Sequence, residues 1–116
     1  MIRRRLLDEE PILLDMKLVM KFGIDRAAIL ARLETLVLQL ERQGKSEHLF
    51  DGKWWIRATY DDWAEREFTW LSTTSVRRFF RDLEKQGIVI SRQEQKSLDR
   101  SKWYAIDFDV LEELLK

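Results

Sequence analysis

Four cations crowd one short stretch of the chain: Arg77, Arg78, Arg81 and Lys85, within STTSVRRFFRDLEKQG, Ser72 to Gly87. A guanidinium is a planar fork of donors. It pairs bidentately with the O6/N7 edge of guanine or with phosphate oxygens. Arg77 and Arg78 are adjacent, so on a helix they point about 100° apart, and one can meet a base edge while the other reaches a phosphate. Arg81 falls one turn beyond Arg77 on the same row. Thr73, Thr74 and Ser75 can offer hydroxyls and backbone N–H groups to a phosphate. The competing reading of these residues is a solvated basic row, with Arg78 paired to Asp82 in a surface bridge worth under about 1 kcal/mol.

The stretch that carries them reads as one helix. Ser72 is a good N-cap, since its hydroxyl can accept an orphan N–H of the first turn. Gly87 sits where a left-handed residue closes a helix. Val76, Phe79, Phe80 and Leu83 share one face at helical spacing, and the cations occupy the rest of the cylinder. Upstream, Thr59 to Phe68 (TYDDWAEREF) reads as a shorter helix capped by Thr59, with Asp61 and Asp62 in its first turn and Trp63 as its anchor. Thr69-Trp70-Leu71 joins the two tightly, which is the helix-turn-helix pattern. Downstream, Ile88-Val89-Ile90 and Trp103-Tyr104-Ile106 read as two strands of a hairpin turning at Ser97 to Arg100. Lys53 to Ala58 (KWWIRA) reads as a further strand, with Trp54 and Trp55 on opposite faces and one of them in the core. The hairpin is a wing, and Arg92, Lys96, Arg100 and Lys102 are its candidate phosphate contacts. The same cations at a hairpin tip also read as merely solvated.

Two helices precede this unit. Asp15 to Phe22 is short, capped by Asp15 and ended by Gly23, with Leu18, Val19 and Phe22 as its apolar side. Asp25 to about Gln43 is longer. Asp25 is its expected N-cap, Ile24 and Ile29 are placed for a hydrophobic staple, and Ile29, Leu30, Leu33, Leu36, Val37 and Leu40 form a buried stripe. Gln43 to Lys53 reads as a loop carrying the only histidine, His48. Asp107 to Lys116 closes with a helix whose Val110, Leu111, Leu114 and Leu115 need a partner surface. Arg3, Arg4 and Arg5 read as a solvated terminus or a phosphate-touching arm.

Composition narrows the classes. The chain has 116 residues, 45% hydrophobic and 36% charged, which describes one globular domain. The formal net charge is zero. The charge is unevenly spread: between Ser72 and Tyr104 eight bases face four acids. That is a basic footprint of modest size. Cysteine is absent, so neither disulfides nor thiolate metal sites are available. The single histidine has no paired His or Cys beside it to make a metal site, no motif marks a nucleophile for it to activate, and there is no Gly-rich phosphate loop. Asp61, Asp62 and Glu65 read as capping and solvation. No catalytic residue, metal or cofactor is expected, and the chain reads as no enzyme. Five tryptophans, Trp54, Trp55, Trp63, Trp70 and Trp103, could stack on bases, but core packing is the expectation. No apolar run approaches the ~20 residues that span a bilayer. The opening MIRRRLLDEEP has too short an apolar part for a signal peptide. An intracellular, cytoplasmic location is expected.

The run DGKWWIRATYDDWAEREFTWLSTTSVRRFFRDLEKQGIVIS, followed by DRSKWYAIDFDVL, resembles the winged-helix domains of phage and plasmid replication proteins of the replisome-organiser and primosome type. The carrying features are an Asp-Gly before a tryptophan strand, a threonine opening a Trp-containing helix, and a Phe-x-x-Leu/Trp-Ser turn. A Thr-x-x-Arg-Arg helix ending Leu-Glu-x-x-Gly and a Trp-Tyr-x-Ile-Asp strand complete them. The specific part spans Asp51 to Leu111, and MKFGIDRAAILARLETLVLQL is similar to the family's helical opening more loosely. The resemblance implies DNA contact through Thr74, Arg77, Arg78 and Arg81.

The expectation is therefore an α+β, mostly α chain: a winged helix-turn-helix with a small three-stranded antiparallel sheet and added N- and C-terminal helices. It forms one domain over 1–116, with the helix-turn-helix at 59–87 and the wing at 88–106. The expected role is duplex DNA binding in replication initiation of a phage or plasmid. The alternatives are a protein-interaction or dimerisation module and a dimeric transcription regulator. The expected partner is double-stranded DNA, with a homodimer or a replication protein left open, and neither membrane nor small-molecule substrate.

Overall fold

Asp15 opens the described structure by accepting the Lys17 N–H at 2.7 Å, which starts α1, Met16–Phe22. The computed structural model describes residues 14–93 and 100–116. Gly23, at φ +86°, ends α1 and immediately begins α2, Ile24–Gln43. Asp25 is thus not the N-cap but a residue of the first turn, where its charge still suits the helix dipole. The staple does not form either. Because the N-cap lies two residues earlier than the sequence suggests, Ile24 is carried outward and stays 64% exposed, while Ile29 is fully buried. Ala27, Ala28, Ile29, Leu30, Leu33 and Val37 make the buried side of α2. Leu36 and Leu40, expected in that stripe, are half-buried at its edge.

The expected loop after α2 contains a small hairpin. A 3-10 turn at Ser46–His48 leads into β1, Leu49–Phe50, which pairs with β2, Lys53–Trp54. Asp51 (φ +51°) and Gly52 (φ +72°) form the turn. Asp-Gly suits the two left-handed residues of such a hairpin. The expected strand Lys53–Ala58 is split at Trp55. Its indole is 1% exposed, stacks on Phe50 at 4.9 Å and donates to the Phe50 carbonyl at 2.9 Å. β3, Ile56–Ala58, then joins a different sheet.

Thr59 caps α3, Tyr60–Asp62, with a reciprocal capping box: Asp62 N–H donates to the Thr59 hydroxyl, and Thr59 N–H to the Asp62 carboxylate, both at 2.9 Å. The expected single helix to Phe68 instead widens into a π-helical turn at Trp63–Glu67, closed by Phe68 N–H on the Trp63 carbonyl at 2.7 Å. After Thr69 and Trp70, Ser72 caps α4, Thr73–Lys85, by accepting the Ser75 N–H at 3.1 Å. α4 ends as its sequence suggests. Gly87, at φ +78°, donates to the Glu84 carbonyl and Ile88 donates to the Leu83 carbonyl, the paired bonds of a Schellman motif.

β4, Val89–Gln93, and β5, Lys102–Ile106, form the wing; β5 lies between β4 and β3 in an antiparallel sheet. Asp107 then caps α5, Phe108–Leu115, accepting from Asp109 and Val110. The fold is α+β and mostly helical: a helix-turn-helix, a three-stranded antiparallel sheet, and helices added at both ends.

An aromatic knot joins these layers. Trp63 stacks on Phe80 at 5.4 Å and on Phe68 at 5.8 Å, and meets Tyr104 edge-on at 5.8 Å. Phe80 meets Tyr104 at 5.2 Å. All four are at most 2% exposed, so α3, α4 and β5 are locked in relative orientation. Trp70 is not core: it is 49% exposed, with its edge on Phe68 and its N–H to Asp25 at 3.2 Å. Trp54 and Trp103 are half-buried.

Candidate nucleic-acid interface

α4 is held by Val76, Phe79, Phe80 and Leu83, each at most 6% exposed. With that face fixed, helical spacing sends Thr74, Arg77, Arg78, Arg81 and Lys85 outward, and all five are exposed. The two acids of α4 are turned the other way. Asp82 accepts from the Arg26 guanidinium of α2 rather than from Arg78, so the surface bridge within α4 does not form. Glu84 accepts from the Ser91 hydroxyl of β4. Among the described residues none of Arg77, Arg78, Arg81 and Lys85 has a carboxylate in ion-pair range, whereas Arg26, Arg32, Arg66 and Arg92 all do. The Arg26 bond, with the nearby cations Lys85 and Arg78 adding to it, holds the Asp82 carboxyl below its usual range.

Aromatic rings position two of the four. Arg77 lies over the Tyr60 ring at 5.5 Å, and Arg78 over the Phe79 ring at 5.0 Å. Arg26 reaches the same Phe79 ring at 4.9 Å. Such contacts favour a cation by about 0.5–1 kcal/mol at exposed sites and narrow its range of positions. Arg81 and Lys85 project further along the helix.

The other residues singled out by sequence divide. Thr73 gives its hydroxyl to Asp61 at 2.9 Å and is half-buried, so it ties α4 to α3. In the wing, Lys102 joins the α4 group, with its ammonium 5.4 Å from the Tyr60 ring. Arg100 is exposed. Arg92 is drawn to the β1–β2 hairpin, paired with Asp51 and lying over Trp55 at 5.0 Å. Lys96, most of the Ser97–Arg100 turn and Arg3, Arg4 and Arg5 lie outside the described residues.

Tyr60 and Arg26 are the residues that sequence reasoning passed over. Tyr60 follows the Thr59 cap, where an aromatic is easily read as packing. Its partners come from positions 77 and 102, which no local pattern links to it. Arg26 is one of many cations on a helix surface. His48 has a structural role: its Nδ1 donates to the Trp55 carbonyl at 2.8 Å and its ring meets Trp103 at 5.5 Å. Among the described residues no group of three or more metal-ligating side chains comes together, and no helix is long and apolar enough to cross a membrane. No family model, curated protein or solved structure matches the chain.

Proposed function

We propose that this chain is a non-catalytic, cytoplasmic protein that binds duplex DNA, with α4 in the major groove and the wing against the flanking backbone. The observation that carries the reading is the sorting of charge on α4. Both of its acids are engaged by other elements, Asp82 by Arg26 and Glu84 by Ser91, and its four bases face out with no carboxylate partner among the described residues. A helix rigidly mounted on an aromatic core, with an unpaired basic outer face, suits groove insertion. A role in replication of a phage or plasmid rests on the sequence resemblance alone. The test is a titration of duplex DNA across a salt series: saturable binding with log K falling by about 0.9 per phosphate contacted supports the reading. No binding at low salt overturns it.

A second reading, a dimerisation module, draws on a different surface. Met16 and Met20 of α1 are 67% and 82% exposed and, with Leu114 and Leu115 of α5, line a groove of about 410 Å³. Exposed apolar surface of this kind marks interaction sites. A mass of two chains by light scattering, returned to one by Met20→Lys, would favour it.

A further inference from the structure

Two cations from different elements share one aromatic ring. Arg77 of α4 and Lys102 of β5 lie 5.5 and 5.4 Å from the Tyr60 ring centre. They are brought there by separate constraints. Arg77 is placed by the buried face of α4. Lys102 is placed by the register of the sheet, which pairs it with Ala58 of β3 and Gln93 of β4. Tyr60 is itself fixed in place, packed near Phe80 at 6.2 Å and Tyr104 at 6.4 Å. Neither cation has an ion-pair partner among the described residues, whereas Arg26, Arg32, Arg66, Arg92 and Lys116 do. Two like charges held at one ring repel each other, and a carboxylate in the protein would ordinarily relieve this. An anion arriving from outside relieves it equally well and gains from both.

We propose that Arg77, Lys102 and Tyr60 form a clamp for a single DNA phosphodiester, bridging the recognition helix and the wing strand. This rests on the duplex-binding reading and adds to it. Arg77 is assigned to the backbone, which leaves base-edge readout to Arg78 and Arg81. Tyr60 is the positioning residue: its ring lies within 5.5 Å of the Arg77 guanidinium and 5.4 Å of the Lys102 ammonium, so both cations are held to one aromatic surface. The clamp also sets the register of the helix on the duplex, since phosphate contacts orient a protein without reading sequence.

The test counts phosphates. Labelled duplex DNA is titrated across a salt series with the parent chain, Arg77→Gln, Lys102→Gln, the double variant and Tyr60→Leu, each checked for parent-like melting. A cation that neutralises its own phosphate contributes about one unit of salt slope. Sharing one phosphate predicts that the double variant loses about one unit. Tyr60→Leu, which removes the ring that positions both cations, should lose the same unit of slope. A loss of about two units in the double variant would mean two separate phosphates and overturn the clamp. An unchanged slope would mean no phosphate is met there and would overturn it equally. Both results leave DNA binding by the parent intact, whereas absence of parental binding at low salt removes the DNA reading itself.

Discussion

The Asp82 carboxylate accepts its hydrogen bond from the Arg26 guanidinium of α2, 56 residues away, and not from Arg78 one turn earlier on its own helix. This partner draws the carboxylate toward α2, so Asp82 forms no ion pair with Arg78, although the charges of Lys85 and Arg78 still act on it. Arg26→Ala releases Asp82 to pair with Arg78. The pair is about one-third exposed on each side, so its loss should lower stability only slightly. Duplex affinity should fall by about fivefold, equivalent to about 1 kcal/mol. The double variant Arg26→Ala/Asp82→Asn should recover the affinity. Anisotropy titrations of the three proteins decide this, and failure of the second change to restore binding would show that Arg26 acts otherwise.

The Trp63 indole N–H is buried without a hydrogen-bond partner among the described residues. An unpaired buried donor costs about 1–3 kcal/mol. Trp63→Ala should cost about 3–5 kcal/mol through the cavity it opens. Trp63→Phe, which deletes the donor while keeping a ring against Phe80, should cost less than half of that. Urea unfolding with an unchanged m-value is the readout.

Gly52→Ala should destabilise the chain by about 1–2 kcal/mol, because φ is +72° there and a Cβ is strained in that region. No atom lies within 4 Å of the added carbon, so the cost is backbone alone. Gly52→Asn, better tolerated in the left-handed region, should cost less. Thermal melts of the two variants test the turn directly.

Stability should fall at both ends of the pH scale. Burial, with Tyr60 beside it, pushes the Tyr104 phenol far above its ordinary value of 10.0. A raised folded value means a contribution fully present below about pH 10 and lost as pH rises, because only the unfolded chain ionises readily. Tyr104→Phe should flatten the alkaline fall. Asp82 has the opposite sign: its carboxyl is lowered from 3.8, so its contribution holds above that pH and is lost as pH drops below it. Asp82→Asn should soften the acid limb. Melting temperature against pH for parent and both variants shows whether these groups set the limbs.

The parts of this fold that sequence revealed are those encoded locally. Ser72, Gly87 and the Val76–Phe79–Phe80–Leu83 spacing lie within one helix, and each does what its type dictates. The wing strands declared themselves through β-branched and aromatic runs. The errors have physical sources. Gly23 serves two helices at once, which no single-helix rule anticipates, so the N-cap of α2 lies two positions before Asp25 and Ile24 is inside the helix. The β1–β2 hairpin was encoded in Asp51-Gly52, but its strands are only two residues long and show no alternation. The site was half legible. Which residues of α4 face outward follows from period alone. That Asp82 does not pair with Arg78 depends on Arg26, and the position of Arg77 depends on Tyr60, both distant in sequence.

The most direct test of the central claim is fluorescence anisotropy of a labelled duplex against the parent chain and Arg77→Ala/Arg78→Ala, from low to physiological salt. The account predicts salt-dependent binding by the parent, with a lower affinity and a shallower slope in the double variant. Equal binding by the two proteins would contradict it, because the outer face of α4 would then not be where DNA is met.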